Sequence, residues 1–350
     1  MTITLRTLAE APAGAAAAWD RFVHETDAAT FFHKSGWAGV IERSFGHGTH
    51  YVFAEQDGAI VGVLPLARMK TRLFGDLLAS TPFCVYGGPV ATTDEALAAL
   101  TDHADALRRK LGSPVLEFRR IDCADEGFLD RPPLYYTFRK RIVITGDDQK
   151  DMEKNIPRKQ RAEVRKGFKR GLSSVSNSDI TTLHRVYAES VRNLGSPVFP
   201  RRYFQALADA FPDAHDVTTV LHEGKPVSSV LNFHFRDQVL PYYGGGTFAA
   251  RGLSANEVMY WEVMRRAGSE RGATLFDFGR SKADTGAFAY KKNFGFEPEQ
   301  LHYCYRLAEG AAIPENNPNN PKYRAVIALW KRMPLWLANI LGPPLVRGLG

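Results

Sequence analysis

The chain repeats itself, and a repeat limits the available folds more than any single motif does. His50–Leu66 and Val217–Phe233 each read as a strand, a tight turn and a returning strand, with Asp57–Gly58 and Glu223–Gly224 at the turns. Each hairpin is followed by a Tyr-Gly-Gly signal, Tyr86–Gly88 and Tyr243–Gly245. Next comes a helix-length segment, Asp94–Leu111 and Asn256–Arg271. A strand then ends in an acidic-Phe-x-Arg pattern, Glu117–Arg120 and Asp277–Arg280. Four features in one order at similar spacing describe a duplicated α/β module. Hairpin, helix and strand in that order give a mixed sheet with helices packed on it, not a fully parallel doubly wound sheet. Residues 46–120 and 215–280 are therefore expected to share one topology.

A length of 350 residues suits two such modules. The expected division is 1–145 for the first module, 146–172 for a linker and basic helix, 173–312 for the second module and 313–350 for a Pro/Asn linker and tail. Ser35 is the expected cap of a helix that Gly46 ends, and Ser254 or Asn256 the cap of one that Gly272 closes. Gly146–Asp151 reads as a polar linker, and Ile313–Pro321 holds too many Pro and Asn residues for a helix or strand. Cys84, Cys123 and Cys304 are few and widely spaced, as reduced core residues are. Neither a leader nor a membrane-spanning run is evident, so the expectation is a cytoplasmic protein.

Charge is unevenly placed. The chain carries a net +7, and Asp151–Leu172 alone holds eight basic residues against three acidic ones. Asn155–Leu172 reads as a helix with Pro157 in its first turn and Val164, Phe168 and Leu172 facing inward. Arg158, Arg161, Arg165 and Lys169 then share a side, flanked by Lys159, Lys166 and Arg170, and such a row can grip phosphate oxygens. The solvated face of a boundary helix is the competing reading. Asn316–Gly350 has five basic residues and no acidic one. Its stretch Tyr323–Leu341 mixes Val326, Ile327, Trp330, Trp336 and Ile340 with Lys331 and Arg332. Such a tail either lies on an anionic membrane face, peripheral to the inner leaflet, or packs back on the body.

Strand, turn, strand, Gly-marked connection, helix and strand is the core order of the acetyltransferase module known as GNAT. Two such modules in tandem resemble the FemAB family of peptidoglycan aminoacyltransferases. Ala289–Gly295 resembles that family's Phe-Lys-x-x-Phe-Gly stretch, with Tyr290 in place of Phe and Lys291 on the lysine. Ile156–Gly167, Phe276–Lys282 and Asn320–Arg324 resemble, more narrowly, FemAB-like proteins associated with exosortase/PEP-CTERM exopolysaccharide systems. The likeness spans nearly the whole chain, most specifically residues 154–310. It implies an α/β (α+β) fold of two tandem GNAT-like modules, with mixed sheets flanked by helices and a cleft between the halves. It also implies an acyl- or aminoacyltransferase acting on an amine or hydroxyl of a cell-envelope or exopolysaccharide precursor, with a phosphorylated or lipid-linked sugar as partner.

Two departures qualify that picture. The charged heptads of a coiled-coil arm are absent. The Arg/Gln-x-x-Gly-x-Gly/Ala loop that holds the coenzyme A diphosphate in GNAT enzymes is missing from its place at Ala249–Ala255. The donor stays open between an aminoacyl-tRNA and an acyl-CoA or other thioester, and acetyl-CoA is expected to bind weakly.

Acyl transfer needs a deprotonated nucleophile, donors for the developing oxyanion and a proton for the leaving group. The candidates for that chemistry are Asp277, or Asp284, as base, Tyr290 or Tyr243 as proton source, and Lys291 to neutralise phosphate. Substrate-binding candidates are Arg158, Lys159, Arg161, Arg165, Arg280, Ser281, Lys282 and Lys292. A structural Asp277–Arg280 pair is the competing reading. No histidine set suits a metal, since His47 with His50 and His222 with His234 lack a third ligand nearby in sequence. A Gly-x-Ser-x-Gly elbow is absent. The rival functions are a non-catalytic scaffold of a polysaccharide assembly system and a nucleic-acid-binding protein. Specific DNA binding is not expected, because the basic patch is short and stands alone.

Overall fold

The computed structural model describes residues 2–121, 127–314 and 324–350. Along the chain come β1 (Thr4–Thr7), α1 (Ala15–Glu25), α2 (Trp37–Phe45), β2 (Gly48–Gln56), β3 (Ala59–Thr71), β4 (Gly75–Ser80) and β5 (Val90–Ala91). They are followed by α3 (Asp94–Leu111), β6 (Val115–Arg120), β7 (Leu129–Asp130), β8 (Tyr135–Arg141), α4 (Asp148–Asn155), α5 (Arg158–Lys169) and β9 (Leu172–Asn177). Then come α6 (Ile180–Leu194), α7 (Arg201–Ala210), β10 (His215–His222), β11 (Lys225–Phe235), β12 (Gln238–Gly246), α8 (Ala250–Leu253) and α9 (Ala255–Arg271). The remainder is β13 (Leu275–Asp277), β14 (Ser281–Lys282), α10 (Gly286–Asn293), β15 (Pro298–Gln300), β16 (His302–Leu307), α11 (Arg324–Arg332) and α12 (Leu335–Val346).

The repeat extends to backbone angles. Asp57 and Gly58 have φ of 51° and 81°, and Glu223 and Gly224 have 51° and 73°. Two consecutive positive φ values are what a two-residue hairpin needs to match strand twist. In both modules the hairpin strands run antiparallel, as β2–β3 and β10–β11, and the third strand, β4 or β12, is antiparallel to the second. The helix α3 or α9 then leads to a strand parallel to the third, as β4–β6 and β12–β13. Gly112 and Gly272 end the two helices at φ 65° and 66°. The expected shared topology is present.

The outermost strands are exchanged. The first sheet runs β1-β2-β3-β4-β6-β16-β7 and the second β14-β8-β13-β12-β11-β10-β9. β16, after the second module in sequence, pairs antiparallel with β6, and β8, after the first, pairs antiparallel with β13. The chain accordingly forms two compact units, 1–134 with 300–316 and 347–350, and 135–299 with 317–346. The division expected at 145/146 cuts differently, because a linear reading cannot say which sheet a terminal strand joins.

In the first unit, alternate residues of β2 serve two layers. Val52 and Ala54 pack with Leu64, Leu66, Leu100 and Phe118 beneath α3. Tyr51 and Phe53 face Trp19 of α1, whose ring stacks on Tyr51 at 5.5 Å. In the second unit α9 buries Val258, Trp261 and Met264 with Val230, Val239, Phe276 and Phe294, while α6 covers β11 and β12.

Several local expectations differ. Gly36, not Ser35, precedes α2, and Gly46 ends it as expected. Ser254 precedes α9 in a left-handed conformation, and its hydroxyl donates to Glu163 at 2.6 Å instead of capping the helix. The supposed linker Gly146–Asp151 leads straight into α4, nucleated by the Asp147 carboxylate on the Lys150 amide. The basic helix is shorter than Asn155–Leu172, and Pro157 sits outside it at the N-cap. Val164 and Leu172 are buried, but Phe168 is 38% exposed: Gly167 sits against Val258 and leaves no room there for a second large group. Cys84 and Cys304 are buried thiols outside any disulfide. Cys123, Lys322 and Tyr323 lie outside the described residues, as do most of Ile313–Pro321 and of Asn320–Arg324.

Candidate active site

The second unit's site begins where two parallel strands part. β12 and β13 pair only at Gln238–Leu275 and Val239–Phe276. β12 then continues to Gly246 on its β11 side. Pro241 brings no amide N–H to a ladder, and the register skips Tyr242. β13 meanwhile ends at buried Asp277, whose Oδ1 accepts the Gly279 amide at 2.8 Å and turns the chain. Gly279 has φ 67°, which glycine adopts without strain.

α10 delivers Lys291 into this turn. Thr285 starts the helix by accepting the Phe288 amide at 3.3 Å and donating to the Lys282 carbonyl at 2.8 Å. The Lys291 ammonium donates to the carbonyls of Gly279 at 2.9 Å and Arg280 at 3.0 Å. The rings of Phe138 and Phe278 lie 5.3 and 5.4 Å from it. Burial lowers its pKa to about 7, Asp277 opposes that shift and Arg280 adds to it.

On α10 and β14, the Tyr290 hydroxyl is buried without a partner, as is the Ser281 hydroxyl. Burial, then Glu257 and Tyr260, push the Tyr290 phenol well above its usual range. Tyr260 is pushed up to about 12 by burial and by Glu257. Arg280 and Lys282 both lie over the Tyr135 ring, at 5.0 and 5.5 Å.

The structure thus brings Asp277 and Arg280 to Lys291 and sets Lys282 beside Arg280 over Tyr135, while Ser281 lies between them on β14 and Tyr290 shares the Phe278 ring with Lys291. Tyr243 stands apart, its hydroxyl 3.1 Å from that of Tyr203, among the rings of Tyr187, Phe199 and Phe204. Arg158, Lys159, Arg165, Lys292 and Asp284 are exposed. Arg161 is turned onto the end of α4, donating to the Ile156 carbonyl at 3.1 Å and that of Glu153 at 3.3 Å.

Sequence reasoning missed Glu257 and Glu163. Glu257 occupies the first turn of α9, and burial together with Glu163 raises its carboxyl. Its sole sequence signal was an acid near a helix start, which most helices share.

The equivalent junction of the first unit is filled. β4 and β6 also pair at only two positions, Leu78–Leu116 and Ala79–Glu117. Beyond them the chain folds back, so that the Gly87 amide donates to the Arg119 carbonyl at 2.5 Å. A Cβ on Gly87 would lie 2.1 Å from the Thr81 hydroxyl, so glycine is required. Arg119 is 2% exposed and pairs with Glu117 at 2.7 Å, Tyr305 donates to the same carboxylate at 2.7 Å, and Arg119 also donates to the Cys84 carbonyl at 3.1 Å.

The solved structure of FemX resembles this chain with a TM-score of 0.66 at 16% identity, over 93% of this chain and 100% of that one. A tandem GNAT protein from the clavulanic acid biosynthesis pathway does so at 0.56 and 13%, over 89% and 100%. This is the tandem GNAT fold. The C-terminal domain of a putative lysylphosphatidylglycerol synthetase from Agrobacterium fabrum also matches, at 0.56 and 14%, over 85% and 93%. Residues 154–292 match the family model described as acetyltransferase (GNAT) domain. That stretch contains the β12–β13 junction and all but the last residue of α10. No curated protein matches the chain significantly. Among the described residues no group of three or more His, Cys, Asp or Glu side chains suits a metal, and no helix is long and apolar enough to cross a membrane.

Proposed function

We propose that this protein is an acyl- or aminoacyltransferase whose reaction takes place at the strand junction of the second GNAT unit. The acceptor is an amine or hydroxyl of a phosphate-bearing cell-envelope or exopolysaccharide precursor. The observation that carries this reading is Lys291, a buried amine whose pKa is lowered to about 7 and whose charge is felt by the Asp277 carboxylate.

Transfer from an ester or thioester forms a bond from the acceptor nitrogen or oxygen to the acyl carbon and breaks the bond to the leaving oxygen or sulfur. The acceptor loses a proton and the leaving group gains one. Lys291 exchanges protons readily at neutral pH, and as ammonium it keeps one N–H beyond the two given to Gly279 and Arg280. That N–H, with the Ser281 and Tyr290 hydroxyls, serves the developing oxyanion or the leaving atom. Asp277, held by the Gly279 amide, is the base nearest to hand. Arg280 and Lys282 suit an acceptor phosphate, and the exposed α5 cations Arg158, Lys159 and Arg165 are further candidates to meet it.

The donor reading favours an aminoacyl ester over acetyl-CoA. Where GNAT enzymes present amides to a diphosphate, this chain has the one-turn helix α8, a left-handed Ser254 and the two carboxylates of Glu163 and Glu257. Carboxylates there repel a diphosphate.

The test is a transfer screen. Aminoacyl-tRNAs and acyl-CoAs are offered with nucleotide- and lipid-diphosphate-linked sugars, and the acceptor mass is read. A mass increment from an aminoacyl donor is expected, with acetyl-CoA binding weaker than micromolar. Acetyl-CoA binding near −8 kcal/mol or tighter would overturn the donor assignment. No increment from any pair would overturn the transferase reading.

A further inference from the structure

The tail of the second unit is docked the wrong way round for a soluble surface. A helix covering a globular core normally turns its large apolar side chains inward. α12 does the reverse. Its buried face is Ala338, Gly342 and Val346, at intervals of four, and Gly342 lies so close to Val198 that a Cβ would be 2.6 Å from the Val198 backbone. The opposite face carries Trp336 at 64% exposure and Ile340 at 61%, with Leu341 beside them. α11 is divided similarly. Trp330 is buried and Ile327 rests on Gly195, while Leu329 at 67% exposure and Val326 face outward.

Docking on α6 therefore accounts for one side of this helix pair and leaves five large apolar side chains in water. The Arg192 guanidinium secures the docking by donating to the Lys331 and Met333 carbonyls at 3.5 and 3.4 Å. The side chains of Lys331 and Arg332 are exposed at the turn between the helices, Arg332 one helical turn after Leu329. No acidic residue occurs from Asn316 to Gly350.

We infer that the outer face of α11 and α12 is a docking surface for an anionic lipid bilayer. An exposed Trp with aliphatic neighbours and flanking cations is the composition that settles at the headgroup boundary, where the rings and aliphatics leave water and the cations meet lipid phosphates. The charge pattern argues against a second copy as occupant, because pairing this face with itself brings two cationic segments together with no acid on either to offset them. The surface depends on neither donor nor acceptor chemistry, so it stands or falls separately from the transferase reading.

The test is co-sedimentation of the full chain with vesicles of phosphatidylcholine alone or with phosphatidylglycerol. The wild type is expected to bind the anionic vesicles, more weakly at high salt. Trp336→Gln with Ile340→Gln should weaken that binding about a hundredfold. Lys331→Ala with Arg332→Ala should weaken it about thirtyfold on anionic vesicles and leave neutral ones unchanged. All four side chains are exposed, and unchanged thermal unfolding verifies that the variants fold. Absence of binding to anionic vesicles, or equal binding by the Trp336/Ile340 variant, overturns the inference. So does a concentration-dependent dimer that this variant breaks, which would make the face a contact between copies.

Discussion

Two strand junctions of one topology are built in opposite ways. In the first unit the gap beyond Ala79–Glu117 is closed by the chain itself: Gly87 bonds to Arg119, Arg119 pairs with Glu117, and Tyr305 completes the carboxylate. In the second, β12 runs on as a strand, and the turn that follows β13 receives Lys291, whose pKa burial lowers to about 7, while the nearby segments leave the Ser281 and Tyr290 hydroxyls unpartnered. Buried polar groups are normally satisfied, and those that are not concentrate where a ligand completes them. If transfer takes place at the second junction as proposed, a duplicated fold separates stability from chemistry by what each copy places at the same position. An inserted helix makes the difference here. α10 follows β13, whereas no helix follows β6 among the described residues before β8.

If the first junction is structural, breaking its ion pair should have the largest effect on folding. Glu117→Gln is expected to cost about 3–5 kcal/mol in denaturant unfolding, since it leaves a buried guanidinium uncompensated. A loss below about 1 kcal/mol would remove the contrast between the units.

The second junction should show the opposite signature in its pH dependence. Lys291 titrates at about 7 when folded and at 10.5 in its unperturbed state. The unfolded chain therefore holds more proton between those values, and stability from this group rises with pH across that window. The slope reaches about 1.4 kcal/mol per pH unit, and the buried charge is fully felt below pH 7. Lys291→Met should flatten unfolding free energy against pH between 7 and 10.5. Identical slopes in the two proteins would mean the amine titrates as an exposed lysine does.

A smaller effect distinguishes the hydroxyls. Tyr290→Phe removes a buried group that has no partner, so stability should hold or rise by up to about 1 kcal/mol while transfer slows. Destabilisation with unchanged transfer would give Tyr290 a structural role.

Much of the fold was legible because its signals are local. Asp57–Gly58 and Glu223–Gly224 announce their turns, and Gly46 and Gly272 announce helix ends, because each needs a positive φ. The exchange of β8 and β16 was not legible, since a strand's own residues do not name the sheet it joins. The acidic-Phe-x-Arg pattern marked both junctions, yet it could not show that Arg119 is locked on Glu117 while Arg280 lies over Tyr135. Lys291 stood out through its motif, but its burial depends on Phe138, a residue of the exchanged strand β8. Arg161 misled because helical spacing placed it in a cation row, whereas the end of α4 claims it. Likewise the tail's composition held both of its readings, with Trp330 turned inward and Trp336 outward.

The central claim is that Lys291, at the second junction, is where acyl transfer occurs. Its most direct measurement is the pH profile of kcat/KM for transfer by the wild type beside that of Lys291→Met. A wild-type inflection near pH 7 is expected, lost in the variant together with at least about a hundredfold in rate, close to 2.7 kcal/mol of transition-state stabilisation. A folded Lys291→Met protein with the wild-type rate and profile would place the chemistry elsewhere.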